Sequence, residues 1–275
     1  MKKLISTTLL LTMSLSCLPV FGQVILESGN DQYIGGQATH TSYNNSDVIG
    51  DANVFGLTEW KISTPSSGSS TLIVEIQGNY FDDILNESSG LLGTSLGDLF
   101  ISTNGLAWDS NDDTNFDYIG GTTETSWDYV ITVNPRSGSG VPTTETQTTG
   151  YRVSDGTIDS SQVDSGIFRE NQEWSFTPDN GASVAFNADW YVSTDSISFS
   201  FDLGPNGIPF SEIGPKGLGF HWTMECGNDV IEFALDPTIT PVPEPSQIGA
   251  LGIVGMGAFM VLRRRLRRRS DARAS

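Results

Sequence analysis

From residue 24 onward the chain alternates short apolar runs with polar turns. Successive side chains on a strand point to opposite faces, so an alternation of period two marks a half-buried strand. The cleanest case is Ile197, Phe199 and Phe201 against Ser196, Ser198, Ser200 and Asp202. Leu72, Val74 and Ile76 alternate with Thr71, Ile73, Glu75 and Gln77, and Val54 to Ile62 reads as one strand before them. The polar stretch 64–70 between these two predicts a hairpin with a longish loop. Further strands are expected at Asp98 to Ser102, around Trp127, Tyr129, Ile131 and Val133, at Leu218 to Met224, and at Val230 to Leu235. Residues 134–150 are poor in apolar side chains and predict a long mobile loop. No comparable segment between the ends shows apolar residues at helical spacing. About ten short strands with turns between them predict an all-β fold, a single jelly-roll-like β-sandwich over residues 23–240.

Composition supports that class. The sequence holds 30 glycines among 275 residues, with abundant Ser, Thr, Asn and Asp and few lysines or arginines in its middle. Such a profile disfavours long helices and suits strands joined by tight turns. Cys17 lies in the N-terminal segment, which leaves Cys226 without a partner for a disulfide in a mature chain.

Charge is unevenly placed. Of the 14 basic residues, only Lys61, Arg136, Arg152, Arg169 and Lys216 lie within residues 23–245, while Asp271 alone of the 33 acidic residues lies outside them. So acidic a body repels phosphate backbones and anionic membrane faces, which excludes a nucleic-acid-binding role.

The two ends read as targeting segments. Lys2 and Lys3 precede an apolar stretch over residues 4–18, and Val20-Phe21-Gly22 suits cleavage before Gln23, so residues 1–22 are expected to be a signal peptide. Near the other end, Pro243-Glu244-Pro245 is followed by the apolar segment Ile248–Leu262 and then by Arg263, Arg264, Arg265, Arg267, Arg268 and Arg269. As a helix the apolar segment rises about 22 Å, short of a hydrocarbon core of about 30 Å unless flanking side chains snorkel. Four glycines within it suit close helix packing, and the arginines would stop it at the cytoplasmic face.

This tripartite tail, residues 241–269, resembles the PEP-CTERM sorting signal of Gram-negative bacteria; residues 270–275 would be its cytoplasmic end. The resemblance implies recognition by an exosortase, a membrane protease-transferase that removes the tail near Pro243-Glu244-Pro245. A transient membrane anchor through the C-terminal helix, followed by delivery to the cell surface or extracellular matrix, is implied with it. Residues 47–51 with Phe55, 93–102 and 218–229 also resemble a recurrent kind of PEP-CTERM surface protein. That likeness implies an exported β domain and adds no reaction. The expectation is a non-enzymatic surface protein whose β-sandwich associates with exopolysaccharide in a biofilm.

Three constellations bear on chemistry. Asp109, Asn111, Asp113, Asn115 and Asp117 place oxygen donors at alternate positions, the density a calcium ion needs. Thr114 and Gly120 stand where an EF-hand requires Gly and Glu, so the alternatives are a calcium loop of another kind and a solvated acidic turn. Trp108 beside this run is the candidate for stacking on a sugar, whereas Trp127 and Trp222 alternate with apolar residues and are expected to be buried. Together these residues describe the alternative function, a calcium-assisted carbohydrate-binding module. Gly93-Thr94-Ser95-Leu96-Gly97 fits a nucleophile elbow, with His221 as the base, yet a strand follows the serine where the elbow needs a helix. A secreted hydrolase is therefore disfavoured. His221 and Glu225 could share a strand face, but two groups are too few for zinc. Cys226, at a turn signal, is expected to be a structural thiol.

Overall fold

The computed structural model describes residues 23–31, 48, 51–86, 94–107, 125–160 and 172–237. Three strands carry the clearest alternation: β3 (Thr71–Gly78), β9 (Phe186–Val192) and β10 (Ser196–Asp202). Phe199 of β10 lies opposite Val74 of β3 on one side and Trp190 of β9 on the other. Leu72, Val74, Ile76, Trp190, Val192, Ile197, Phe199 and Phe201 thus form one continuous buried face. The other face is mainly polar, with Glu75, Asp189, Tyr191, Ser198 and Ser200, and includes Ile73.

Around them stand β1 (Val24–Asn30), β2 (Leu57–Thr64), β4 (Leu99–Ser102), β5 (Tyr129–Ile131), β6 (Thr146–Arg152), β11 (Leu218–Thr223) and β12 (Val230–Leu235). These ten strands form one sheet in the order β1-β2-β3-β10-β9-β6-β5-β4-β11-β12, antiparallel at every step. The sheet curls until its ends nearly meet. Trp60 of β2 stacks on Phe233 of β12 with ring centroids 4.7 Å apart. Buried Asp229 accepts the Leu57 N–H at 2.6 Å across the same seam. Side chains, rather than a further ladder of backbone bonds, bring this sheet close to a barrel.

A separate ribbon, β7 (Gly156–Ser160) paired with β8 (Glu173–Pro178), lies over the outer side of β4 and β5. Phe176 of β8 joins Phe100, Leu106, Trp127 and Val130 in a second apolar cluster, while Leu99, Ile101, Tyr129 and Ile131 face the main core. Both faces of β4 and β5 are therefore buried, and apart from Ser102 both strands are continuously apolar. Two layers exist here, although the outer one has only two strands.

Three expectations are corrected. The strand expected from Val54 begins at Leu57; Ala52–Phe55 is a helical turn, α1, capped by the Asp51 carboxylate, which accepts the Asn53 N–H at 2.9 Å. A second short helix, α2 (Tyr80–Asn86), does carry helical spacing: Tyr80, Phe81 and Ile84 enter the main core against Trp222. The loop expected over 134–150 ends instead in β6, which lies inside the sheet between β5 and β9. Its Thr-Gln-Thr-Thr-Gly run gave no apolar signal. Gly150 is required there, since a Cβ would stand 2.3 Å from the Phe186 ring.

Candidate functional site

The residues expected to hold calcium, Asp109, Asn111, Asp113, Asn115 and Asp117, and the stacking candidate Trp108 lie outside the described residues. So do Pro243, Glu244 and Pro245, the apolar segment 248–262, and Arg263, Arg264, Arg265, Arg267, Arg268 and Arg269. Among the described residues no helix is long and apolar enough to cross a membrane. Among the same residues no group of three or more His, Cys, Asp or Glu could share a metal ion. Trp222 and Trp127 are buried as expected.

The elbow does not assemble. Ser95 sits ahead of β4, and its carbonyl accepts the Glu225 N–H at 2.9 Å. His221 is fully buried in β11 between Phe100 and Trp127. Its Nδ1 lies 2.8 Å from Glu232 Oε1 and its Nε2 lies 2.8 Å from the Glu173 carbonyl. A carbonyl only accepts, so Nε2 carries a proton, and the Nδ1 contact shares a second proton with the carboxyl group. Both ring nitrogens are committed, and none is free to serve Ser95 as a base. The acidic partner of His221 is Glu232 across the β11–β12 pair, and Glu225 lies beyond the end of β11. Cys226 is buried, and burial pushes its thiol pKa up, which suits a structural thiol and not a nucleophile.

A charged cluster ties the turn at 210–212 to the sheet. Tyr129 Oη donates to Glu212 Oε2 at 2.6 Å, and Arg152 Nη2 donates to Glu212 Oε1 at 2.7 Å while its guanidinium lies 4.8 Å from the centre of the Tyr129 ring. Arg152, then Tyr129, holds the Glu212 carboxyl below its ordinary value of 4.5. A depressed carboxylate stabilises the fold above the unfolded pKa and loses that effect as pH falls through the folded one. Replacing Glu212→Gln is expected to lower the thermal midpoint at neutral pH. That difference should fade as pH drops below about 4.5, read by melting curves across pH. A difference that stays constant would show that Glu212 acts through shape alone.

The outward face of β3, β10 and β9 carries a groove of about 330 Å³. Strand register builds it in two rows. Glu75 lies opposite Ser198, and Ser198 opposite Tyr191; one step along, Ile73 lies opposite Ser200, and Ser200 opposite Asp189. Glu145, just ahead of β6, and Gln23, just ahead of β1, stand at the rim. Gln23 is fixed there by donating to Ser63 Oγ. Glu75 is already held, by Lys61 Nζ at 3.2 Å and Gln77 Nε2 at 2.8 Å. Asp189 and Glu145 make no ion pair among the described residues. Ser198 is only 2 % exposed, lines the groove, and has no hydrogen-bond partner for its Oγ. The floor of this site was not among the expected functional residues. No family model, curated protein or solved structure matches the chain.

Proposed function

We propose that this chain is an exported surface or matrix protein, sorted through its tail by an exosortase, with a non-catalytic β body that associates with exopolysaccharide. The observation that carries the reading is the order of Pro243-Glu244-Pro245, an apolar segment and an arginine cluster behind a strongly acidic body with only five lysines and arginines. Among the described residues the last strand ends at Leu235, ahead of Pro243-Glu244-Pro245 in the sequence. His221 with both nitrogens committed favours a binding role for the body over hydrolysis. The two-layered, jelly-roll-like form belongs to this proposal, supported by the ribbon stacked on β4 and β5.

Intact mass of the protein recovered from the surface fraction of its host tests the sorting. The expected species begins near Gln23 and ends within Pro243–Pro245. Truncation after Thr240 should abolish surface delivery. A mass that keeps residues 248–275, or normal delivery of the truncated chain, would overturn the assignment.

A further inference from the structure

We propose that the groove across β3, β10 and β9 binds an amine-bearing sugar unit, a hexosamine whose nitrogen is unsubstituted and protonated. The inference deepens the proposed association with polysaccharide, and its biological meaning rests on that reading. Three observations select this ligand class. First, the volume of about 330 Å³ falls at the small end of small-molecule sites, which run from about 300 to 1,000 Å³. Second, the groove carries unbalanced negative charge. Lys61 offsets Glu75, but Asp189 and Glu145 are offset by no described cation. An anionic sugar would be repelled there, and a ligand ammonium would be held by charge-assisted hydrogen bonds.

Third, Ser198 Oγ is buried and unpaired. A buried hydroxyl without a partner costs free energy, and such a group in a native site calls for an explanation. The hydroxyl lies between Glu75 and Tyr191 in register, where a ligand hydroxyl would complete it. Ser200 in the next row offers a second hydroxyl, and the Tyr191 ring offers a flat apolar surface for a pyranose face. A bare polyamine would satisfy Asp189 and Glu145 but leave Ser198 and Ser200 unused. A hexosamine uses both sets.

Calorimetric titration of the full chain, kept in a detergent without sugar groups, tests this. The probes are a β-linked glucosamine tetramer, its fully N-acetylated form and spermidine. The glucosamine tetramer is expected to bind at least about tenfold more tightly than the acetylated one, which has lost the charge. Asp189→Asn should weaken it about tenfold, and the exposed Glu145→Gln about threefold. Ser198→Ala separates binding from folding. It removes an unsatisfied group, so the thermal midpoint should hold or rise, while affinity falls about fivefold. Absence of binding, equal binding of the acetylated tetramer or of spermidine, or unchanged affinity in Ser198→Ala would each overturn the proposal. These failures are separable from failure of sorting. Correct tail removal without glucosamine binding removes only the groove assignment, and binding by a protein that keeps its tail removes only the sorting.

Discussion

Replacing Asp98 with alanine is expected to cost about 3–5 kcal/mol, more than removal of any ion pair at the surface. Asp98 is fully buried just ahead of β4. Its Oδ1 accepts the Val133 N–H at 2.8 Å, and its Oδ2 accepts both the Phe176 N–H and Arg136 Nη2 at 2.8 Å. One carboxylate therefore joins the end of β5, the ribbon strand β8 and the segment leading to β6. Alanine would orphan two buried N–H groups and leave the guanidinium without its counter-charge, each a separate loss. For a domain of this size the thermal midpoint should fall by roughly 10 °C.

Arg136→Met isolates the charge. Burial pushes the Asp98 carboxyl up, and Arg136 is the first cause opposing that rise. With Arg136 gone the folded carboxyl binds its proton still more tightly, so the variant's deficit should shrink as pH falls. Melting curves of the parent and both variants, at about pH 5 and about pH 8, provide the check. A loss under 1 kcal/mol for Asp98→Ala would mean that the three segments hold together without it.

The arginine at the centre of this node lies in the stretch whose composition reads as a loop. Arg136 donates to the Leu96 carbonyl at 3.1 Å, and its guanidinium lies 5.3 Å from the centre of the Trp174 ring. Neither partner is near it in sequence, so its role could not be read from its neighbours. The same limit governs the rest of the fold. β3, β10, β11 and β12 were legible because their own side chains alternate or run apolar between turns. β6 was not, because threonine and glutamine hide a strand whose burial is supplied by β5 and β9. β9 is absent from the expected strands although its pattern is there to be read, with Phe186, Ala188, Trp190 and Val192 on one face and Asn187, Asp189 and Tyr191 on the other. The groove is less legible again. Glu75, Asp189, Tyr191 and Ser198 meet only through the register of β3, β10 and β9, and register follows from pairing, not from any one segment. The proposed sorting tail, by contrast, is a linear pattern of Pro243-Glu244-Pro245, apolar residues and arginines, and is read from sequence without any fold.

The G-x-S-x-G motif shows how the same residues carry packing where the pattern suggests chemistry. Gly97→Ala is expected to destabilise the chain by about 3 kcal/mol or more, at the upper end of overpacking losses. A Cβ at Gly97 would stand 1.8 Å from the Thr223 carbonyl oxygen and 3.0 Å from that of Trp174. Both obstacles are backbone, so no side-chain rotation relieves them. The Gly97 carbonyl also accepts Trp222 Nε1 at 3.0 Å, and Trp222 is fully buried against Tyr80 and Phe81. Pushing this segment off β11 would strain that bond together with the Glu225 N–H to Ser95 carbonyl contact and the Cys226 N–H to Thr94 Oγ1 contact at 3.1 Å. Ser95→Ala in the same motif should change stability by less than about 0.5 kcal/mol, because only the Ser95 backbone is engaged. Denaturant unfolding of both variants separates the two readings. A nucleophile elbow would make Ser95 the sensitive position and its loss a loss of turnover. Close packing makes Gly97 the sensitive position and its loss a loss of fold, and a stable Gly97→Ala protein would show that β11 can move away from this segment without cost.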